Sequence, residues 1–147
     1  MGDKFDCLKI ENQLCFPLYS AANKIVRSYT PLLSKLDLTY TQYIVMMVLW
    51  EKEKVNEKEL SETLFLKSNT LAPLLKKLKS KGYIDIKKDK TDGRNIIISL
   101  TEKGESLKEE AVEVPPSIAS TLNLSKEEAG LLYRILYKYL NEDEEEQ

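Results

Sequence analysis

Cys15 is the side chain best suited to covalent chemistry in this chain of 147 residues, which has no histidine and one other cysteine, Cys7. Pro17 follows two positions later, and proline is tolerated in the first turn of a helix. We therefore expect Cys15 to lie beside a helix N-terminus, where unpaired N–H groups favour the reactive thiolate. Tyr19 shares the face of Cys15 if that helix is continuous. The alternative interpretation is that Cys15 is a small buried apolar side chain, a common role for cytosolic cysteines.

The composition excludes several classes of enzyme. Without histidine there is no Ser-His-Asp or Cys-His catalysis and no histidine-based metal site. The five glycines form no phosphate-binding loop of the GxxxxGK or GxGxxG type. The N-terminus lacks a signal-peptide core, and no apolar stretch approaches the roughly 18 residues of a membrane span. We therefore expect a cytoplasmic protein with no metal, no cofactor, no membrane contact and no enzymatic turnover.

Charge is distributed unevenly along the chain, although the whole sequence has a net charge of only −2. Residues 67–103 carry a net charge of +6, whereas residues 1–66 carry −1 and residues 104–147 carry −7. A basic segment inside an acidic chain is typical of a nucleic-acid-binding surface. The alternative is a lysine-rich, solvated helix. The acidic run at 142–146 is predicted to be disordered.

The apolar pattern predicts mainly helices, interrupted by one pair of strands. A short helix up to Leu14 is expected, followed by a second that opens near Pro17 and bends near Pro31. Thr39 opens a third helix. Its residues 43–50 are almost all apolar and are also compatible with a buried strand, but the Thr cap favours a helix. A last helix opens at a capping box that begins at Ser125.

The middle of the chain predicts two short helices and a β-hairpin. A capping box starts at Asn56, and Ser68 is the expected cap of the next helix. That helix has a buried stripe at helical spacing and ends at Gly82. The stripe consists of Leu71, Leu74, Leu75 and Leu78. Residues 83–87 and 96–100 alternate as strands around a basic Asp-Gly turn, and Thr101 caps a helix that ends before Pro115.

This order of elements is that of a winged helix-turn-helix, in which the second helix enters the DNA major groove. Polar residues at its start can reach base edges, and lysines further along can reach phosphates. Arg94 at the hairpin tip suits a narrow minor groove, with Asp92 orienting it through a bidentate pair. An ordinary turn with a surface ion pair is the alternative. The candidate DNA contacts are Ser68, Asn69, Thr70, Pro73, Lys76, Lys77, Lys88, Asp92 and Arg94.

Asp92-Gly93-Arg94, followed by the run ISLTEKG that ends at Gly104, resembles the wing signature of the MarR family of winged-helix regulators. The resemblance covers essentially the whole chain. It implies a mainly α fold with a small β-hairpin, assembled as a homodimer through interlaced terminal helices. The expected division is a winged helix-turn-helix lobe over 38–103, with dimerisation helices in 1–37 and 104–147.

Residues 9–16, KIENQLCF, together with Tyr19, Tyr29 and Tyr40, are similar to one branch of that family, the organic-hydroperoxide sensors. The resemblance implies that Cys15 is the peroxide-sensing thiol and that Tyr29 and Tyr40, with Tyr19 nearby, line its pocket. No cysteine follows Cys15, so the chain resembles the one-cysteine type, whose sulfenic acid is trapped by a small cytosolic thiol. Cys7 is either incidental or a resolving thiol across the dimer.

The resemblance implies a repressor that binds a pseudo-palindromic operator in double-stranded DNA and releases it when an organic hydroperoxide oxidises Cys15. The first alternative is a MarR-type repressor released by a phenolic or aromatic ligand, with Cys15 structural and Tyr19, Tyr29, Tyr40 and Tyr43 lining the pocket. A thiol peroxidase is a second alternative, which the order of elements argues against. A third is an architectural DNA binder that senses nothing.

Overall fold

The computed structural model describes residues 2–142, and the predicted disordered tail beyond 142 lies outside that range. Most of these residues are helical, and three short strands between residues 54 and 100 form one small sheet. In chain order the elements are α1 (Cys15–Leu33), α2 (Tyr40–Lys52), β1 (Lys54–Asn56), α3 (Glu57–Leu64), α4 (Ser68–Ser80), β2 (Ile84–Lys88), β3 (Ile96–Leu100), α5 (Glu102–Ala111), α6 (Val114–Ala119) and α7 (Lys126–Leu140).

The segment before α1 contains two 3₁₀ turns, Asp6–Leu8 and Ile10–Asn12, so the predicted short helix up to Leu14 is wrong. Side-chain amides close these turns, since Asn12 Nδ2 donates to the Asp6 carbonyl at 2.7 Å and Gln13 Nε2 donates to the Cys7 carbonyl at 2.7 Å. These bonds compete with the backbone hydrogen bonds of a regular helix. The chain therefore enters α1 from a compact, self-bonded segment.

Helix α1 then runs without interruption from Cys15 to Leu33 and includes Pro31 in its last turn. A third 3₁₀ turn, Ser34–Leu36, follows directly, and Asp37 reverses the chain in a left-handed conformation with φ 54° and ψ 47°. Thr39 and Gln42 form a capping box that starts α2, as the sequence predicted for the Thr cap. The apolar segment 43–50 is helical, and most of its side chains are buried.

The winged helix-turn-helix is confirmed, with α3 and α4 as its two helices and β2 and β3 as the wing. All four leucines of the predicted stripe on α4 are buried. Two predicted caps differ from the structure. The N-cap of α4 is Lys67 and makes no side-chain bond, so Ser68 is the first helical residue. The carboxylate of Glu59 pairs with Lys52 Nζ at 2.6 Å, leaving only the Asn56 half of the expected capping box.

The sheet has three strands in the order β1-β3-β2, all antiparallel, rather than the two that were predicted. Strand β1 pairs Val55 with Ile98, and the opposite edge of β3 pairs Ile98 with Ile86. Ile98 is completely buried, so the wing is anchored in the core at its centre. Only three residues long, β1 is too short to show an alternating pattern.

The terminal elements expose many large apolar side chains. No residue of α7 is buried, although the helix is amphipathic. Among residues 2–142, no helix is long and apolar enough to cross a bilayer. Exposed apolar side chains lie before and within the first half of α1 (Phe5, Leu8, Ile10, Leu14, Phe16, Leu18 and Tyr19) and along α7 (Leu131, Leu132, Tyr133, Ile135, Tyr137, Tyr139 and Leu140).

Gly104→Ala is expected to destabilise the fold by about 1–3 kcal/mol, the usual cost of overpacking. Gly104 lies in the first turn of α5, and a Cβ there overlaps the carbonyl oxygen of Tyr83, which is backbone and cannot rotate away. Gly93→Ala is the matched control, since a Cβ at Gly93 meets nothing within 4 Å. Urea denaturation of the three proteins measures the effect, and equal free energies of unfolding for both variants contradict the packing described for Gly104.

Candidate nucleic-acid interface and thiol site

Helix α4 presents one face to the core and the other to solvent. Because Leu71, Leu74, Leu75 and Leu78 all point inward, the remaining positions must point outward at helical spacing. The predicted contact residues of this helix are accordingly exposed: Ser68, Asn69, Thr70, Pro73, Lys76 and Lys77. The structure therefore places hydrogen-bonding side chains at the start of the outer face and cationic ones further along it.

Pro73 gives the start of this face an uncommon feature. It lies inside α4, where proline has no N–H to donate to the carbonyl four residues earlier, that of Asn69. The Asn69 carbonyl is therefore left out of the regular helical ladder. The first turn of α4 thus offers backbone as well as side-chain polar atoms beside the exposed side chains of Asn69 and Thr70.

The wing tip holds Arg94 out in solvent, with 93% of its side chain exposed. One oxygen of Asp92, Oδ1, accepts from the Arg94 backbone N–H at 3.1 Å and from Nε at 3.4 Å. The predicted bidentate pair is therefore not formed, because a single carboxylate oxygen serves both donors in a tight turn. The terminal nitrogens of the guanidinium lie outside this pair and can serve another acceptor.

A second aspartate stabilises the base of the same loop. Asp89 Oδ1 accepts from the Thr91 backbone N–H at 3.1 Å and from its hydroxyl at 3.0 Å. These hydrogen bonds hold the pKa of Asp89 below its ordinary value. Lys88, the last residue of β2, is exposed beside this loop. The wing is consequently a shaped, charged loop.

The wing and the start of α4 face each other across a cleft of about 310 Å³. Ser68 and Arg94, which lie far apart in sequence, both line it. The full lining is Glu57, Lys58, Ser61, Ser68, Arg94, Asn95 and Ile96. The structure thus brings two of the predicted DNA-contact groups onto one continuous surface.

Cys15 is the first residue of α1 and is exposed. Its N-cap, Leu14, supplies no side-chain hydrogen bond to the open end of the helix. The thiol is therefore carried at a helix N-terminus whose N–H groups receive no bond from a cap side chain. Cys7 is also exposed and free, and its thiol lies 3.6 Å from the Lys4 carbonyl.

Three tyrosines from α1 and α2 form a packed cluster. The Tyr29 and Tyr40 ring centroids are 4.9 Å apart, and Tyr43 lies 5.7 Å from Tyr29 and 6.4 Å from Tyr40. Burial raises the pKa of all three phenols, that of Tyr43 to about 12; other cluster phenols add to the effect at Tyr29 and Tyr43, and Tyr137 of α7 adds to it at Tyr40. The cluster therefore consists of neutral O–H groups at physiological pH. The sensor residues predicted from the sequence did not include Tyr43. Its position three residues after Tyr40, on the same helix face, could have indicated that it belongs to the cluster.

Cys15 and this cluster do not meet within one chain. Tyr29 lies fourteen positions after Cys15 in one continuous helix, which at 1.5 Å per residue is about 21 Å along the axis. Tyr19 lies near the Cys15 end of α1 and is largely exposed. The predicted sensor residues thus form two groups at opposite ends of one helix, Cys15 with Tyr19 and Tyr29 with Tyr40.

Comparison with known proteins gives consistent results for most of the chain. Residues 27–111 match the family model described as "Transcriptional regulator SarA/Rot". The chain is 44% identical over 140 residues to an organic hydroperoxide resistance transcriptional regulator of Bacillus subtilis, with 95% of each protein covered.

Two solved structures extend the comparison to the fold. Reduced AbfR bound to DNA, a Staphylococcus epidermidis protein, is 31% identical with a TM-score of 0.76, covering 93% of this chain and 95% of the other. A C80S mutant of Escherichia coli MarR with operator DNA is 25% identical with a TM-score of 0.79, covering 95% and 99%.

The raised pKa of Tyr43 predicts a late ionisation and an alkaline loss of stability. The phenol is neutral in the fold up to about pH 12 but ionises near pH 10 when exposed. Its contribution to stability is therefore complete below pH 10 and is lost as the pH rises from 10 to 12. The tyrosinate absorbance of wild type minus that of Tyr43→Phe should titrate near pH 12, and a difference curve centred near pH 10 contradicts the buried environment.

Proposed function

The chain belongs to the SarA/Rot family of transcriptional regulators and has the MarR-type winged helix, and from this premise we propose that it is a repressor which releases its operator when an organic hydroperoxide oxidises Cys15. The observation that carries the proposal is the position of Cys15 at the exposed first residue of a 19-residue helix. The Bacillus subtilis relative, an organic hydroperoxide resistance transcriptional regulator, supports it.

DNA binding uses the outer face of α4 and the tip of the wing. Asn69 and Thr70 reach base edges in the major groove, while Lys76 and Lys77 contact phosphates. Arg94 enters the neighbouring minor groove, with its orientation held by Asp92. A symmetric dimer carries two such surfaces, and successive major grooves on one side of the duplex are about 34 Å apart. The operator is therefore pseudo-palindromic.

The homodimer buries the apolar faces that one chain leaves open. Large apolar side chains are exposed both around the start of α1 and along α7, and contiguous patches of this kind mark protein–protein interfaces. Terminal helices that interlace across a twofold axis cover each patch with its counterpart in a second copy.

The dimer also resolves the separation of the thiol from the tyrosines. Because about 21 Å of helix keeps Cys15 from Tyr29 in its own chain, the phenols of one protomer are available to Cys15 of the partner subunit. A pair of α1 helices packed antiparallel brings each end of one helix beside the opposite end of the other. Neutral phenols then donate to the thiolate sulfur, which is an acceptor.

The sensing reaction is a two-electron oxidation of the Cys15 thiolate. The sulfur attacks the terminal peroxide oxygen, an S–O bond forms and the O–O bond breaks, and the alkoxide leaves and takes a proton to become an alcohol. A small cytosolic thiol then displaces water from the sulfenic acid, giving a mixed disulfide. Because the trapping thiol is cytosolic, the proposed location of the protein is the cytoplasm. The protein reacts once per signal rather than turning over as an enzyme.

A second candidate function is release by an aromatic ligand, with Cys15 structural. One observation favours it, a mainly apolar pocket of about 350 Å³ lined in part by Tyr43, Met47 and Trp50, with Lys108 at its side. This pocket adjoins the tyrosine cluster through Tyr43. Since the two functions need different residues, a cysteine substitution separates them.

Cys15→Ser is expected to bind the operator as wild type does but to keep it after oxidation. Wild type should lose affinity about 5- to 150-fold, the usual range of allosteric coupling, after a stoichiometric organic hydroperoxide and a small thiol. Fluorescence anisotropy at fixed salt, on a duplex selected by the reduced protein, measures both states. Cys7→Ser is the matched control and should respond like wild type. Equal release by Cys15→Ser rules out Cys15 as the switch, whereas retention of the operator by both proteins after peroxide supports the ligand.

Arg94→Ala is expected to weaken operator binding about 5- to 150-fold, the effect of losing a contact worth roughly 1–3 kcal/mol. Arg94→Lys keeps the charge but loses the planar fork, so it should recover the salt dependence of binding and only part of the affinity. The extent of Cys15 oxidation, measured by mass spectrometry, should be unchanged in both variants because the wing lies in a different part of the chain. Unaltered affinity of Arg94→Ala contradicts the role of the wing.

A further inference from the structure

Three long-range hydrogen bonds connect the segment between α1 and the first turn of α2 to one turn between α4 and β2. Lys81 Nζ donates to the Asp37 carbonyl at 2.6 Å and to Gln42 Oε1 at 3.0 Å, and the Tyr83 hydroxyl donates to the Leu36 carbonyl at 3.0 Å. All acceptors lie in the segment 36–42 that follows α1, and both donors lie in the turn 81–83. We call Lys81 and Tyr83, together with their acceptors in the segment 36–42, the 81–83 clamp.

The bonds to Gln42 and from Tyr83 are buried or partly buried, whereas the bond to the Asp37 carbonyl lies at the surface. Gln42 is 4% exposed and is a polar side chain in a core that is otherwise apolar, and Tyr83 is 5% exposed. The same Gln42 oxygen accepts from the Thr39 backbone N–H at 3.0 Å, so it also starts α2. Polar groups at such depth bind strongly to their partners, since an unmade buried hydrogen bond is costly. The clamp therefore transmits displacement rather than yielding to it.

Asp37 gives the clamp its geometry. Its left-handed backbone, φ 54°, turns the chain between the 3₁₀ turn and α2 and presents its carbonyl to Lys81. A non-glycine residue in this conformation persists only where its surroundings hold it. Its carboxylate also lies 3.5 Å from Lys81 Nζ. The ammonium thus fixes both the backbone and the side chain of Asp37.

The turn joins the recognition helix to the wing and holds none of the proposed DNA contacts. Lys81 is the C-cap of α4, and Gly82, with φ 82°, leads directly into Tyr83 and β2. On the far side, Lys103 Nζ donates to the Lys81 carbonyl at 2.9 Å, and the Thr101 hydroxyl donates to the Gly82 carbonyl at 2.5 Å. The end of the recognition helix and the root of the wing are therefore held together and move as one body.

From this arrangement we infer that Lys81 is a positioning residue, which couples the position of α1 to the orientation of α4 and the wing. Helix α1 begins at Cys15, and the acceptor segment of the clamp, 36–42, follows shortly after its last residue. A rigid helix that shifts at its Cys15 end carries the segment 36–42 with it, and Lys81 and Tyr83 pass that shift to the DNA-binding surface. The inference rests on the proposed release of DNA after Cys15 oxidation.

Lys81→Met tests the coupling, because it removes the donors and keeps the length of the side chain. In the reduced state its operator affinity should stay within about threefold of wild type, whereas release on oxidation should fall from the wild-type 5- to 150-fold to under about threefold. Lys81→Arg keeps a donor and should restore release. Tyr83→Phe, which removes one hydroxyl and no charge, should lower release in the same direction.

Lys79→Met is the matched control, since it removes an exposed lysine from the same helix end without touching the clamp. It should release DNA like wild type. Mass analysis of Cys15 must show equal oxidation in every variant, which separates coupling from sensing. Wild-type release ratios in both Lys81→Met and Tyr83→Phe overturn the coupling role while leaving the proposed function intact. A wild-type protein that holds its operator after Cys15 oxidation overturns both.

Discussion

Continuous helix sets the backbone positions of Cys15 and Tyr29 about 21 Å apart along the axis of α1, and the proposed function depends on that separation. A thiol next to its own tyrosines needs no second chain. In the proposed function the two groups are joined across the dimer, so assembly and sensing become one requirement. The same helix is stiff enough to carry a disturbance at its first residue to the segment beyond its last.

The lobe that receives such a disturbance is built around apolar stripes with a few buried polar ties. The leucines of α4 and Ile98 of β3 anchor the recognition helix and the wing in one core. Trp50 joins this core to α5, since its indole N–H donates to the Gly104 carbonyl at 2.9 Å. Because packed cores do not deform continuously, the lobe responds by reorientation as a whole. The ties at Lys81 and Tyr83 determine where that reorientation is applied.

Much of the lobe was predictable from residue spacing. The stripe on α4, the alternation of β2 and β3, and the caps at Thr39 and Ser125 are local signals, and the structure confirms them. Strand β1 was missed because its three residues pair only with a strand more than 40 positions later. The start of α4 was misplaced by one residue, since Lys67 takes the cap position without a side-chain bond.

The candidate site was less accessible from sequence. The exposure of the α4 face and of Arg94 followed from the pattern, but the single-oxygen pairing of Asp92 depends on the exact turn. The 3₁₀ turns before α1 depend on side-chain amides that bond back to the chain, and such competition has no periodic signature. The distance between Cys15 and the tyrosines could not be predicted without knowing that α1 is one continuous helix from Cys15 to Leu33. Contacts between segments remote in sequence, such as Lys81 with Asp37, leave no trace in spacing.

Trp50 is the only tryptophan in the sequence, and its ring centroid lies 6.3 Å from that of Tyr43. Excitation energy absorbed by Tyr29, Tyr40 or Tyr43 can therefore transfer to the indole of Trp50 through neighbouring aromatic rings. The indole also stands at the start of α5, through its bond to Gly104. The molecule consequently contains its own optical reporter, whose emission reflects the packing of the tyrosine cluster without any attached dye.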